Sequence, residues 1–193
     1  MQFRKAEKFI IAFLKQHLPS ILSYHDLNHT IDVLEAAVRI AVAENISKSD
    51  LLLLKTAALF HDSGFISVYD KHEEEGCRLS RTYLPNFGYT DRQIDIICGI
   101  ITATRMPQTP HNLLEKIMCD ADLDYLGRVD FETVSQKLYK EWLAVGIINN
   151  EKEWHERQTA FLAAHHYWTE TSIQEREPQK PAYLKEKSDQ YRN

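Results

Sequence analysis

Apolar side chains recur at helical spacing along most of the chain, and no stretch alternates between apolar and polar residues long enough to favour a strand. One example is the stripe formed by Ile31, Leu34, Val38 and Val42, which lie three to four residues apart. Glycine and proline interrupt the pattern often, so each helix is expected to be short. The sequence therefore predicts an all-α fold, a compact single-domain bundle of about eight or nine helices with brief connections.

Capping residues, glycines and prolines predict where the individual helices begin and end. The third helix, LLLLKTAALFHD, is expected to be capped by Ser49 or Asp50 and to end at Gly64. The other predicted helices cover 3–17, a stretch that starts after Asp26 or Asn28, and then 71–84, 91–104, 112–127, 131–145 and 151–169. The charged stretch that follows is interpreted as a terminal helix or a tail.

No internal repeat, low-complexity linker or shift in composition divides the 193 residues. A chain of this length can bury a sizeable core as one unit. We therefore predict one domain over residues 1–193, with the core motifs at about 22–130 and further helices at 131–193.

Bulk composition argues against several classes of function. The formal net charge of −5 leaves no basic footprint, so double-stranded nucleic acid is not an expected partner. No apolar run approaches the roughly 18 residues of a membrane span, and the first helix carries Lys and Glu within its apolar pattern, unlike a signal peptide. Cys77, Cys98 and Cys119 are far apart and are expected to be buried free thiols in a reducing cytoplasm. Nothing in the sequence indicates an oligomeric state.

His61 and Asp62 directly follow the ten mainly apolar residues LLLLKTAALF. Burying an imidazole and a carboxylate is costly unless something compensates. A metal cation does so, because both groups are metal ligands and the cation offsets the buried charge. The alternative is that Asp62 caps the next turn and His61 is a hydrogen-bonded core histidine.

Two other segments can supply further ligands. YHDLNH holds His25 and His29 one helical turn apart, and CDADLDYLG places Asp120, Asp122 and Asp124 at the end of an apolar helix. A thiolate zinc site is disfavoured, because the sequence has no Cys-x-x-Cys pair. Nitrogen and oxygen ligands together suit a divalent ion such as Mn, Mg, Fe, Co or Ni.

The motifs YH-x-x-x-H-T-x-DV, AALFHDSGF and DADLDYLG, in this order, resemble the HD superfamily of metal-dependent phosphohydrolases, in particular its small single-domain bacterial members. The resemblance covers about residues 22–130. It implies a helical bundle of the HD-domain and phosphodiesterase-like type, and it implies four metal ligands: His29, His61, Asp62 and Asp122. Asp120 is the alternative last ligand; otherwise it would orient a ligand histidine or a water.

The YH-x-x-x-H start is also similar to that of cyclic-nucleotide phosphodiesterases, in which the earlier histidine protonates the leaving oxygen. The similarity implies this role for His25, and imidazole can deliver a proton at neutral pH. The alternative is that His25 stacks or caps at the helix start. His25 and Asp62 are the expected catalytic residues, whereas Asp124 is expected to be a C-terminal or solvent group. Asp32 is expected at most to contact a residue that binds the metal.

Substrate contacts are expected from His72, Arg105 and Arg128. Several HD families have a histidine at a comparable distance after the doublet, and both arginines adjoin predicted helix ends near the site. The alternative is that these three residues belong to a solvated surface. HD enzymes that bind two metals carry additional histidines in the stretch after the position of His72. The corresponding stretch here, CGIITATRMPQ, has no histidine. This favours one tightly held metal, or a second held loosely, and counts against an iron oxygenase.

These residues predict a metal-dependent phosphohydrolase that cleaves a phosphate mono- or diester of a small metabolite, with a nucleotide as the expected substrate. The metal would lower the pKa of a bound water and polarise a phosphoryl oxygen. The alternative from another functional class is a non-catalytic regulatory module that binds a metal or a nucleotide.

Overall fold

The computed structural model describes residues 1–190, which form ten α-helices and no strand, so the predicted all-α class is confirmed. The helices are α1 (Phe3–His17), α2 (Leu27–Ala43), α3 (Lys48–Phe60), α4 (His72–Tyr83), α5 (Asp91–Ala103), α6 (Leu113–Asp122), α7 (Phe131–Ala144), α8 (Glu151–Ala164), α9 (Glu170–Glu175) and α10 (Lys180–Gln190). Short 3-10 helices follow α3, α4, α6 and α9, at Ser63–Ile66, Leu84–Phe87, Asp124–Gly127 and Glu177–Gln179. The predicted domain limits stay a prediction, and residues 191–193 lie outside the described part.

Side-chain caps fix most helix starts. Asp26 caps α2 by accepting a hydrogen bond from the backbone N–H of His29, and Thr90 forms a capping box with Gln93 at the start of α5. The predicted cap of α3 is wrong, because Ser47 rather than Ser49 or Asp50 holds that position and accepts from the N–H of Asp50. Helix α3 therefore starts at Lys48.

The predicted helix over 151–169 is also wrong at its end. Helix α8 ends at Ala164, and His165 adopts an extended backbone with ψ of 140°. The residues that follow α8 bind to the end of α6 instead of continuing the helix. Asp120 accepts hydrogen bonds from the backbone N–H groups of Trp168 and Thr169. Tertiary contacts to the end of α6 thus replace the last helical turn.

The larger core surrounds α3, whose side chains Leu54, Ala57 and Phe60 are fully buried. Helices α1, α2, α5 and α6 pack against it. The predicted stripe on α2 is wrong in part: Val42 is 65% exposed, and the buried face instead carries Val33 and small residues such as Ala37. Small side chains allow α2 to approach its neighbours closely.

A smaller cluster of buried residues joins the later helices to the first part of the chain. Tyr24, Leu123, Phe131 and Tyr167 are among its members. It places α7 and the residues after α8 beside the start of α2 and the end of α6. Among the described residues no helix is both long enough and apolar enough to cross a membrane.

Candidate metal centre

Three helix termini meet at one buried point. His29 lies in the first turn of α2, His61 and Asp62 follow α3, and Asp122 is the last residue of α6. The Nε2 atom of His29 lies 3.3 Å from Asp62 Oδ2 and 3.2 Å from Asp122 Oδ1. The Nε2 atom of His61 lies 3.2 Å and 3.5 Å from the same two oxygens. The structure therefore brings together all four residues that the HD resemblance implies as ligands.

The spacing of these four atoms suits a metal ion. Adjacent ligands at about 2.1 Å from an octahedral ion lie about 3.0 Å apart, and tetrahedral ligands slightly more. His29, His61 and Asp122 satisfy the geometry of a three-residue metal cluster. His29 Nε2, His61 Nε2 and Asp62 Oδ2 are buried and have no hydrogen-bond partner among the described residues. Such orphaned atoms are costly in a folded protein, and a shared cation would satisfy all three.

The second ring nitrogen of His61 determines its tautomer. His61 Nδ1 donates to the backbone carbonyl of Ala58 at 2.8 Å. This bond leaves Nε2 with a free lone pair directed at the carboxylates, the arrangement found for histidines that bind metals.

Without a cation, these groups stabilise one another's charges. Burial lowers the pKa of His29, but the adjacent carboxylates of Asp122 and Asp62 outweigh it and raise that pKa to about 9. His61 shifts in the same direction for the same reasons. Burial opposes ionisation of Asp62 and Asp122, yet the two imidazoles hold both carboxyl pKa values below their usual range.

The neighbouring aspartates have other partners. Asp120 is fully buried, and its two oxygens accept hydrogen bonds from Trp168 and Thr169. Asp124 is buried as well, contrary to the expectation of a solvent group, because it forms ion pairs with Arg39 and Arg176. Of the three aspartates, only Asp122 faces the two histidines.

His25 lies beside the cluster and is held by a residue that sequence reasoning missed. The carboxylate of Glu141, fully buried on α7, accepts a short hydrogen bond from His25 Nδ1 and bonds from the backbone N–H groups of Tyr24 and His25. Tyr69 donates its hydroxyl to the same carboxylate at 2.8 Å. Burial opposes ionisation of Glu141, but the imidazole of His25 and the two backbone N–H groups offset it and hold the pKa of Glu141 below its usual value. The arrangement leaves the Nε2 atom of His25 for a ligand.

The turn after the HD doublet positions two imidazoles. The ring of Phe65 stacks between His25, at 4.3 Å, and His72, at 3.9 Å. The backbone of His72 approaches Gly64 so closely that a Cβ there would lie 1.9 Å from the His72 carbonyl oxygen. His72 Nε2 lies 3.5 Å from Asp62 Oδ1. A glycine and an aromatic residue in HDSGF thus bring His72 to the site.

A cavity of about 990 Å³ opens onto the cluster and is lined by His25, Asp62, His72 and Asp122. Arg105 also lines it, as does Lys71, a cation that sequence reasoning missed. The structure does not bring Arg128 to this cavity. Its guanidinium instead forms ion pairs with Asp32 and Asp130, so neither Arg128 nor Asp32 is free to serve the site.

Glu141 could have been found from one sequence signal. It interrupts an apolar stripe that includes Val134 and Leu138 on α7 and continues at helical spacing to Val145, the C-cap residue of that helix. A carboxylate at such a position needs a buried partner. The partner could not be identified from sequence, because His25 lies 116 residues away.

Comparisons with known proteins identify chains of similar fold and the family of this chain. Two crystal structures are similar to this chain, each with a TM-score of 0.64. One is a predicted HD superfamily hydrolase from an uncultured Thermotogales bacterium, with 24% identity over 95% of this chain and 90% of that chain. The other is Bacillus subtilis YpgQ in complex with ADP, with 22% identity over 100% of this chain and 96% of that chain. No protein of curated function matches the sequence significantly. The family model for the HD domain matches residues 26–124, just over half of the chain, so the protein belongs to the HD domain family.

Proposed function

We propose that the protein is a metal-dependent phosphohydrolase that cleaves a phosphate mono- or diester of a small metabolite, with a nucleotide as the substrate. One observation carries the proposal. The unpartnered, buried ligand atoms of His29, His61 and Asp62 converge with Asp122 at the end of a large cavity that also contains His25. A binding module needs the ligands alone, whereas hydrolysis of an ester with a poor leaving group also uses the adjacent proton donor.

The cluster would hold one divalent cation through His29, His61, Asp62 and Asp122. Such an ion supplies Lewis-acid polarisation of a phosphoryl oxygen and a nucleophilic water at neutral pH. The choice of ligands favours an ion that accepts both nitrogen and oxygen, such as Mn, Mg, Fe, Co or Ni.

His25 would donate its Nε2 proton to the leaving oxygen. The ionised carboxylate of Glu141 holds the Nδ1 side of the ring and stabilises the imidazolium. Stacking on Phe65 restrains the ring further. The proton therefore reaches the substrate from a ring with a fixed tautomer and orientation.

Lys71 and Arg105 would bind the phosphate oxygens. Both line the cavity, and Arg105 also donates to the exposed carboxylate of Glu74. The cavity, at about 990 Å³, has the size of a site for a cofactor or nucleotide. The similar fold of YpgQ in complex with ADP supports a nucleotide in particular.

Hydrolysis of bis-p-nitrophenyl phosphate in the presence of Mn²⁺, Co²⁺ or Ni²⁺ tests the proposal. We expect turnover by the wild-type protein and its loss, together with the bound metal, in the Asp62→Ala variant. Asp95→Ala is the matched control, since Asp95 is an exposed residue that pairs with Arg81. It should keep both properties.

The alternative functions give different results. A protein that binds metal and ADP but hydrolyses neither this ester nor a panel of nucleotides and sugar phosphates would be a regulatory module. Two irons per chain and a reaction that consumes oxygen would indicate an oxygenase. Turnover that is equal in wild type and Asp62→Ala would contradict the proposed site.

A further inference from the structure

One part of the cavity wall is aromatic and has no role in the chemistry described above. Trp142 on α7 and Trp154, Gln158 and Phe161 on α8 form it, and we call these four residues the aromatic wall. The three residues of α8 lie four and three positions apart, and hence on one face of the helix. Trp142 and Trp154 pack edge to face, with ring centroids 5.5 Å apart.

Two polar atoms in the aromatic wall are buried and have no partner among the described residues. The side chain of Trp154 is 2% exposed, and its indole N–H donates to nothing. Gln158 is 7% exposed, and its Oε1 accepts nothing. Proteins rarely leave a buried donor and a buried acceptor unsatisfied, and both residues line the cavity. A ligand that offers an acceptor and a donor would satisfy both.

Aromatic side chains and this pair of polar atoms select for one class of ligand. A flat heteroaromatic ring can stack on Trp142 or Phe161, as bases do on aromatic residues in other sites. A nucleobase also carries hydrogen-bond donors and acceptors on adjacent atoms of its edge, and glutamine amides commonly read the edge of adenine. A sugar phosphate has no such ring.

We propose that the aromatic wall is a nucleobase subsite, in which the indole N–H of Trp154 donates to a ring nitrogen or carbonyl of the base and Oε1 of Gln158 accepts a base N–H. The proposal rests on the proposed function only for the placement of the phosphate, which lies at the metal end of the same cavity. It makes Gln158 a residue that determines specificity for the base.

Titration calorimetry on the Mn²⁺-loaded protein tests the subsite without any need for turnover. The probes are adenosine, which has no phosphate, and ribose 5-phosphate, which has no base. The variants are Trp154→Phe, which keeps an aromatic ring but removes the N–H, and Gln158→Leu. Trp168→Phe and Gln174→Leu are matched controls, because neither residue lines the cavity. Thermal unfolding of each variant verifies that it is folded.

We expect adenosine to bind, and its Kd to rise about tenfold in each variant of the aromatic wall and to stay unchanged in the controls. Ribose 5-phosphate should bind all proteins alike. Absence of adenosine binding, or equal binding by wild type, Trp154→Phe and Gln158→Leu, would overturn the subsite even if phosphate esters are hydrolysed. Binding that depends on both residues, in a protein without hydrolytic activity, would support the subsite and overturn the proposed function instead.

Discussion

At the scale of single residues, the candidate metal centre is a set of charges that are stable only in combination. His29 and His61 face Asp62 and Asp122 across 3.2–3.5 Å, and each pair of charges offsets the cost of burying the other. Protons on the imidazoles can take the place of a cation in this arrangement. Protons and metal therefore compete for the same nitrogens.

The pH dependence of the metal-free protein follows from this competition. The pKa of His29 is raised to about 9, so its contribution to stability is complete below its ordinary value of 6.5 and is lost as the pH rises through 9. The pKa of Asp122 is lowered, so its contribution is present above 3.8 and is lost as the pH falls. We expect the Tm of chelator-treated protein to decrease between pH 6.5 and 9. An equal decrease in a His29→Asn variant would contradict this assignment.

Asp120 and Asp122 are separated by a single residue, yet their substitution should affect different properties of the protein. Asp122→Asn removes a charged ligand, so we expect affinity for Mn²⁺ to fall at least about 100-fold. Asp120→Asn weakens the hydrogen bonds to Trp168 and Thr169, so we expect a loss of about 1–3 kcal/mol of stability with the metal retained. Metal analysis and thermal unfolding of both variants distinguish these outcomes. The reverse pattern would identify Asp120 as the ligand.

Glu141 should matter most when the leaving group is poor. Glu141→Gln keeps the shape of the side chain but removes the charge that supports a protonated His25. We expect turnover of an ester with an alkoxide leaving group, such as a nucleoside monophosphate, to fall about 100-fold. Turnover of p-nitrophenyl esters should change little, because that leaving group needs no proton.

The exposed Glu156 on α8 provides the control for this experiment, and Glu156→Gln should leave both rates unchanged. A general loss of stability would lower both rates equally. Equal losses on the two kinds of ester would therefore argue against proton donation through His25.

The sequence predicted which four residues meet at the candidate metal centre, but it did not predict the residues that support His25 beside it. His29, His61, Asp62 and Asp122 stand in short motifs whose order carries the HD resemblance. Glu141 and Tyr69 act through contacts between distant parts of the chain, which no local pattern encodes. Arg128 was expected at the substrate because it adjoins a helix end, but nearby carboxylates occupy its guanidinium.

At the scale of elements, the turn between α3 and α4 determines the geometry of the site. Gly64 permits the close approach of the His72 backbone. We expect Gly64→Ala to destabilise the protein by about 2–3 kcal/mol, because the new methyl group must displace backbone atoms. Metal affinity should fall with it, since Asp62 lies two residues earlier.

Gly99 offers the matched control, to be compared by urea unfolding. It lies inside α5, where an added Cβ would lie 3.5 Å from Glu115 Oε1, an ordinary contact. Gly99→Ala should be neutral or stabilising by up to about 1 kcal/mol, through helix propensity. Similar losses in both variants would show that the approach at Gly64 is not specifically required.

Helices were predicted best where local signals agree. Helix α1 occupies Phe3–His17 as predicted, with an apolar stripe that ends just before Pro19. Helix α8 is shorter than predicted, because nothing local in FLAAHHYWT indicates that Trp168 and Thr169 bind the end of α6. Tertiary hydrogen bonds there outweigh helix propensity.

At the scale of the whole molecule, the cavity is shared between two parts of the chain. The HD match at 26–124 contains the metal end of the cavity, whereas α7 and α8 supply Trp142, Trp154 and Gln158 to its wall. Glu141 on α7 does not line the cavity but holds the ring of His25. The ion pair between Asp124 and Arg176 connects the HD match to the residues that follow α9. If the proposed function holds, the family motifs supply the metal ligands, and the later helices select the substrate.

The central claim is that one divalent ion at His29, His61, Asp62 and Asp122 is required for hydrolysis of a phosphate ester. Stepwise addition of Mn²⁺ to metal-free protein, with bis-p-nitrophenyl phosphate hydrolysis followed at each step, tests it most directly. We expect no turnover without metal, and activity that rises in proportion to Mn²⁺ and levels off at one equivalent per chain. Full activity in the presence of excess chelator would contradict the account.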